Sequence, residues 1–126
     1  MTPHVQSAIK YSMAHFLITG SNGFVGRWLC QALKNNGHTT NGFDIKNDDK
    51  QNVVDYPALL NEAYNTKPDA IIHLAAISRP KIAAETPQQA YDITVLGTQN
   101  CIRMAENVPS IKKIVYFSSS MVYGDF

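Results

Sequence analysis

FLITGSNGFVG, Phe16 to Gly26, decides the reading of this chain. Phe16, Leu17 and Ile18 form a short, wholly apolar β-prone run, the pattern of a strand buried on both faces in a parallel sheet. Gly20, Gly23 and Gly26 follow at equal spacing. Gly20 can turn the chain sharply off the strand, Gly23 lacks the Cβ that would hold a diphosphate off the backbone, and Gly26 lets a helix lie close on the strand. Val25, Trp28, Leu29, Ala32 and Leu33 recur at three-then-four spacing and predict that helix, which Asn35-Asn36-Gly37 ends. Its N-terminus attracts an anion through free N–H groups and the helix dipole, with no basic side chain required. Three glycines alone fit a plain strand-to-helix turn equally well. Their place between a strand and an amphipathic helix, with a second apolar strand ending in Asp44 at about ribose distance, points to a dinucleotide.

The rest of the composition narrows the classes. With 126 residues the chain is one domain, short for a complete dinucleotide enzyme. Lys plus Arg number 11 against 10 Asp plus Glu, which gives no electrostatic case for nucleic acid or an anionic membrane. No apolar run approaches a membrane span and no secretory leader opens the chain, so the expected location is the cytosol. Cys30 and Cys101 lie far apart without a Cys-x-x-Cys partner and read as reduced core thiols. His4, His15, His38 and His73 are scattered, so no metal site is expected.

Residues 1–14 have no sustained period and read as a loose extension; Met13 offers an alternative start, and an ordinary frayed terminus fits as well. Residues 15–126 form the nucleotide-binding domain. His38 to Phe43 predicts the second strand, and the Asp44 carboxylate can accept from both ribose hydroxyls while repelling a 2′-phosphate, so NAD is favoured over NADP. Asn52-Val53-Val54 predicts a short third strand, with Asp55 as N-cap of a helix through Leu59, Leu60 and Ala63. Ala70 to Ala76 is another buried strand, whose small end residues Ala75 and Ala76 allow a ligand close to the backbone; His73 inside it reads as a satisfied core histidine. Arg79-Pro80 and Thr86-Pro87 bracket a loop, and a long helix runs from Pro87 to about Asn107. One face, Ala90, Ile93, Thr94, Gly97, Cys101, Met104 and Ala105, should pack on the sheet, while Tyr91, Val95, Thr98 and Ile102 form a second stripe wider than one sheet covers. Ile111 to Ser120 predicts a fifth strand, and the alternation of strands and helices predicts a doubly wound α/β sheet of about five strands.

From about His15 to Gly124 the chain resembles the N-terminal part of the NAD-dependent epimerase/dehydratase family, the extended short-chain dehydrogenase/reductases. Thr19 to Gly26 is similar to the family's TGxxGxxG loop, His73 to Ala76 to its HxAA strand end, Leu96-Gly97-Thr98 to its xGT helix motif, and Phe117 to Gly124 to its FSSSxVYG. The resemblance implies a Rossmann domain. It also implies cofactor contacts from Gly20, Asn22, Gly23, Phe24, Val25 and Gly26 at the diphosphate and from Asp44 at the adenosine ribose. Asn52 and Val53 would lie beside the adenine, an amide standing where the family has Asp. Leu74, Ala75, Ala76, Thr94 and Ser118 would line the cofactor, Thr94 replacing a family Asn, and Ser119 corresponds to the catalytic Ser or Thr that bonds the substrate oxygen. The family's Tyr-x-x-x-Lys pair is absent from these 126 residues, which removes the general base of hydride transfer.

Two readings follow. One is the cofactor-binding portion of an enzyme acting on nucleotide sugars, inactive alone, with an apolar stripe on helix 87–107 open to self-association. The other is a non-catalytic nucleotide-binding or cofactor-sensing module.

Overall fold

The computed structural model describes residues 12–124. Four parallel strands form one sheet in the order β2-β1-β3-β4: β1 (His15–Thr19), β2 (Thr39–Phe43), β3 (Ala70–His73) and β4 (Lys113–Tyr116). The chain steps from β1 outward to β2, then returns past β1 to β3 and β4, which makes the sheet doubly wound with a crevice where the direction reverses. Between the strands lie α1 (Phe24–Asn35), α2 (Tyr56–Thr66), α3 (Pro80–Glu85), α4 (Pro87–Tyr91) and α5 (Gly97–Asn107).

Side chains alternate across the sheet, so Leu17, Phe43 and Ile71 share one face. There they pack with Leu59 and Ala63 of α2 and Cys101 and Met104 of α5 into the core. α2 starts as the sequence requires: the Asp55 carboxylate accepts from Ala58 N at 3.1 Å, and Pro57 occupies the first turn where no N–H is needed. The helix ends on Lys67, in the left-handed region at φ 47°.

Three expectations are corrected. There are four strands among the described residues, because 52–54 is a turn: Asn52 Oδ1 accepts from Val54 N and the Asn52 carbonyl accepts from Asp55 N at 2.9 Å, satisfying locally the groups a ladder would use. The segment between Arg79 and Thr86 is helical, since Pro80 and Pro87 each open a short helix at its first position. β4 is shorter than Ile111 to Ser120 and is not buried. It is the edge strand, and Val115, Tyr116 and Phe117 are exposed.

α4 continues into α5 through one widened turn, Asp92–Leu96, where Gly97 N–H reaches back five residues to the Asp92 carbonyl. Gly97, Cys101 and Met104 are buried on the sheet side, as the sequence predicts, and Gly97 is needed there: a Cβ would lie 2.6 Å from Val53 Cγ2. Tyr91, Val95 and Ile102 stand exposed on the second stripe, whereas Thr98 is drawn inward. α1 departs from its pattern. Only Gly26 is buried in it, and Trp28 is 71% exposed; the main sheet neighbours of α1 are β1 and β2.

Candidate functional site

The parallel register puts the ends of all four strands at one level: Thr19 lies beside Phe43 and His73, and His73 beside Tyr116. The segments that follow therefore leave the sheet along one edge. They are the glycine loop, Asp44, Leu74 to Ala76, and Phe117 to Ser119.

The glycine loop is fixed by its own backbone. Gly20 takes φ 68°, donates its N–H to the Phe43 carbonyl at 3.0 Å and accepts from Gly23 N at 3.0 Å. A Cβ on Gly20 would lie 2.8 Å from Ala75 N, so the loop and the end of β3 touch backbone to backbone. Gly26 is required by the loop rather than by the strand, since a Cβ there would fall on the Gly20 carbonyl oxygen and within 2.6 Å of the Ser21 oxygen. Gly23 is the N-cap of α1; it brings no side-chain cap, and no acidic residue occupies the first turn. The N–H groups of that turn and the helix dipole are thus open to an anion, the condition that diphosphate binding needs. Phe24 and Val25 open α1 with exposed side chains.

Asp44 is 8% exposed at the end of β2. Its Oδ2 accepts from Asn22 N at 2.8 Å and its Oδ1 from Lys46 N at 2.9 Å, so the carboxylate ties the glycine loop to the strand end. A carboxylate has about four acceptor positions, and two remain for a ribose diol. The Asn22 amide reaches Asn47 Oδ1. Asn52 uses its Oδ1 on Val54 N, while the Val53 carbonyl accepts from Asn100 Nδ2 at 2.9 Å and the Val53 side chain is buried against Gly97. The turn beside the candidate adenine position is in this way clamped to α5.

Behind the loop runs a polar relay that only one proton order satisfies. Thr98 Oγ1 donates to the Thr94 carbonyl at 2.6 Å, so towards His73 Nε2, 2.9 Å away, it can only accept. His73 therefore carries its proton on Nε2 and accepts at Nδ1 from Thr19 Oγ1 at 2.6 Å. Thr19 Oγ1 in turn accepts from Leu74 N and Ala75 N, both at 3.2 Å, and Thr94 Oγ1 accepts from Ile77 N at 3.2 Å. Thr94, standing where the resembled family has Asn, still holds the chain leaving β3. Burial pushes the His73 imidazole down to about 4 and the Cys101 thiol, 3.5 Å from Nδ1, up to about 12, so both are neutral. His73 is a satisfied core histidine, as its sequence context predicts. Burial also raises Cys30, and both cysteines are free thiols.

Ser118 and Ser119 are exposed, and Ser119 Oγ accepts from Met121 N at 3.2 Å at the start of a 3₁₀ turn, Ser120–Tyr123. They share the sheet edge with the loop, but no hydrogen bond among the described residues joins them to it. The roles of Thr19 and Thr98 escape sequence reading, though Thr19 sits in the loop motif and Thr98 at helical spacing from Thr94. Gly42 was legible in principle: a lone glycine in a strand marks a close approach, and here a Cβ would meet the Ser21 hydroxyl.

Among the described residues no helix is long and apolar enough to cross a membrane. The sequence profile of the NAD dependent epimerase/dehydratase family matches residues 16–126. A probable UDP-glucuronate 4-epimerase of Rhizobium meliloti is 27% identical over 86% of this chain and 38% of its own length. The CDP-glucose 4,6-dehydratase of Salmonella typhimurium is 25% identical over 84% of this chain and 34% of its own length. Among solved structures, UDP-glucose 4-epimerase from Brucella ovis in complex with NAD superposes with a TM-score of 0.80 at 22% identity, over 89% of this chain and 38% of that one. The chain thus spans well under half the length of these relatives. Its matched span, its doubly wound sheet and its glycine loop assign it: the chain belongs to the NAD dependent epimerase/dehydratase family.

Proposed function

We propose that this chain is the NAD-holding portion of an epimerase or dehydratase acting on nucleotide sugars. The observation that carries the reading is the common level of the four strand ends, from which the glycine loop, Asp44, Ala75-Ala76 and Ser118-Ser119 all emerge. The first turn of α1, with Gly20 to Gly26, takes the diphosphate. Asp44 accepts from the adenosine ribose, Asn52 and Val53 flank the adenine, and Leu74 to Ala76 with Thr94 line the path towards the nicotinamide. Ser119 bonds the substrate oxygen and Ser118 lines the cofactor. The two relatives named for nucleotide-sugar reactions support the substrate class, and the free thiols of Cys30 and Cys101 fit a reducing cytosol.

No tyrosine in the sequence has a lysine four positions on, so the chain alone has no general base of the family's kind and binds cofactor without turnover. Calorimetric titration of the purified chain should give tighter binding for NAD than for NADP. Asp44→Ala should weaken NAD by about 1.5 to 3 kcal/mol through lost charge-assisted hydrogen bonds. A tighter NADP complex would remove the ribose role of Asp44, and sustained conversion of an added nucleotide sugar would remove the inactivity.

The exposed stripe of Tyr91, Val95 and Ile102 is the proposed surface for self-association through helix 87–107. Burying one such side chain contributes about 1.5 to 3 kcal/mol. Light scattering should report oligomers that Val95→Glu with Ile102→Glu disperses; an unchanged monomer in both proteins would exclude this contact.

A further inference from the structure

The dipeptide Asn-Gly occurs three times in the chain, as Asn22-Gly23, Asn36-Gly37 and Asn41-Gly42. Its glycine carries no side chain, so the glycine nitrogen can reach Cγ of the asparagine wherever the backbone is free to rotate. The three pairs share that chemistry and differ in what restrains them. Asn22 is tied to distant parts of the chain: its N–H donates to Asp44 Oδ2 at 2.8 Å and its side-chain amide to Asn47 Oδ1, while Gly23 N donates to the Gly20 carbonyl at 3.0 Å. Asn41 is held extended in β2, paired with Leu17 of β1, and Gly42 packs against the Ser21 hydroxyl. Asn36 caps the C-terminal end of α1, and both it and Gly37 are exposed. Their bonds lie within the last turn of the helix: Asn36 N and Nδ2 donate to the Ala32 carbonyl at 3.1 and 2.8 Å, and Gly37 N to the Lys34 carbonyl at 3.0 Å. A Cβ on Gly37 would meet nothing within 4 Å, so this turn has room to rearrange.

We infer that Asn36 is a site of spontaneous covalent modification, deamidation through a cyclic imide, and that the fold suppresses the same reaction at Asn22 and Asn41. Gly37 N gives up its proton to a base in solvent and attacks Asn36 Cγ. The N–Cγ bond forms, the Cγ–Nδ2 bond breaks, and the amide leaves as ammonia after taking a proton from water. Water then adds to either carbonyl of the ring, whose opening leaves an aspartyl residue or an isoaspartyl one, the latter with the backbone rerouted through Cγ. Nothing is oxidised or reduced, and water is the only co-reactant. The rate follows how often the attacking nitrogen is released. A helix end frays at little cost, whereas the bonds that hold Gly23 and Asn41 part only in larger openings. The product carries a carboxylate at the negative end of the α1 dipole and has lost the donor to the Ala32 carbonyl, so the last turn of α1 loosens. At Asn22 the same product would put a second carboxylate beside Asp44, in the loop that opens α1. The fold directs the chemistry to the far end of that helix instead, about 18 Å away along its 12 residues.

The test is peptide mapping by mass spectrometry on the purified chain aged at mildly alkaline pH, once folded and once unfolded in urea. In the folded chain Asn36 should exchange amide for acid at least about tenfold faster than Asn22 or Asn41, because its opening is local. In urea the three sites should converge on a common rate, since the dipeptide is the same at each. Anion exchange of the folded sample should resolve an acidic species that grows with time, holds both aspartyl and isoaspartyl forms at position 36, and is missing from Asn36→Ser. The proposal is overturned if Asn22 or Asn41 converts in the folded chain as fast as Asn36, or if Asn36 converts in urea but stays intact in the folded chain. It is overturned too if the acidic species persists in Asn36→Ser. A ranking of the three sites that is the same in urea would overturn the protection by the fold, since it would place the selection in the neighbouring residues.

Discussion

Gly26→Ala should destabilise the chain by about 3 kcal/mol, the upper range for forcing a group into a packed site, and abolish measurable NAD binding. A Cβ at this position falls on the Gly20 carbonyl oxygen, 2.6 Å from the Ser21 oxygen and 2.7 Å from the Ser21 carbonyl carbon. All of these are backbone atoms, so no rotamer change relieves the contact. Nor can the loop withdraw. The Gly20 carbonyl is held by Gly23 N, its N–H by the Phe43 carbonyl, and its Cα lies against the backbone of Ala75. Relief requires α1 to swing away from the loop, which moves the N–H groups that the diphosphate would use. Gly37→Ala is the informative control, because Gly37 also has a positive φ, 82°, yet a Cβ there meets nothing within 4 Å. It should cost about 1 kcal/mol of backbone strain and leave NAD affinity alone. Urea denaturation and calorimetry on both variants separate crowding from backbone angle; a Gly26→Ala protein of parental stability and affinity would refute the loop's rigidity.

Acid should weaken the fold through one residue. Burial lowers His73 from 6.5 to about 4 in the folded chain, whereas the unfolded chain keeps the ordinary value. The unfolded state therefore takes up the proton first as the pH falls. Stability is fully present above about pH 6.5, declines with a limiting slope of about 1.4 kcal/mol per pH unit, and by pH 4 has dropped by about 3 kcal/mol. The groups facing His73 are Thr19, Thr98, the neutral Cys101 thiol and the Tyr116 ring, stacked with centroids 6.0 Å apart. None supplies a negative charge to offset the imidazolium. Protonation would also place a second N–H opposite Thr19, whose hydroxyl would have to turn and release Leu74 N and Ala75 N. Denaturant unfolding between pH 7 and pH 4 should show this fall in the parent chain. In His73→Asn the curve should start lower and run flatter over the same window; an equal slope in both proteins would move the acid sensitivity to another group.

Several features follow from short-range chemistry, and these were legible in the residues alone. A β-prone apolar run followed by Gly20, Gly23 and Gly26 gives a strand, a tight turn and a helix, Asp55 can cap only the helix that begins after it, and Pro87 suits a first helical position. The same holds for the buried face of α5, where small and apolar residues recur at helical spacing. Each of these depends on neighbours within one or two turns, which the sequence itself contains.

Tertiary structure decided what depended on a distant partner. Periodicity in α1 marks an apolar face but says nothing of the surface opposite, and Trp28 is left exposed on a helix whose main sheet neighbours are β1 and β2. Asn52-Val53-Val54 has strand composition, yet the Asn52 side chain closes a turn and Asn100 fixes it from α5, so local hydrogen bonds replace a ladder. Asp44 is readable as an acid at a strand end, and its bond from Lys46 N is a local turn, but its grip on Asn22 arises only when the loop folds back over β2. The Thr19, His73, Thr98 and Thr94 relay spans β1, β3 and the long helix. Such a chain of bonds between residues up to 54 positions apart exists only once the parallel register has brought the strand ends level.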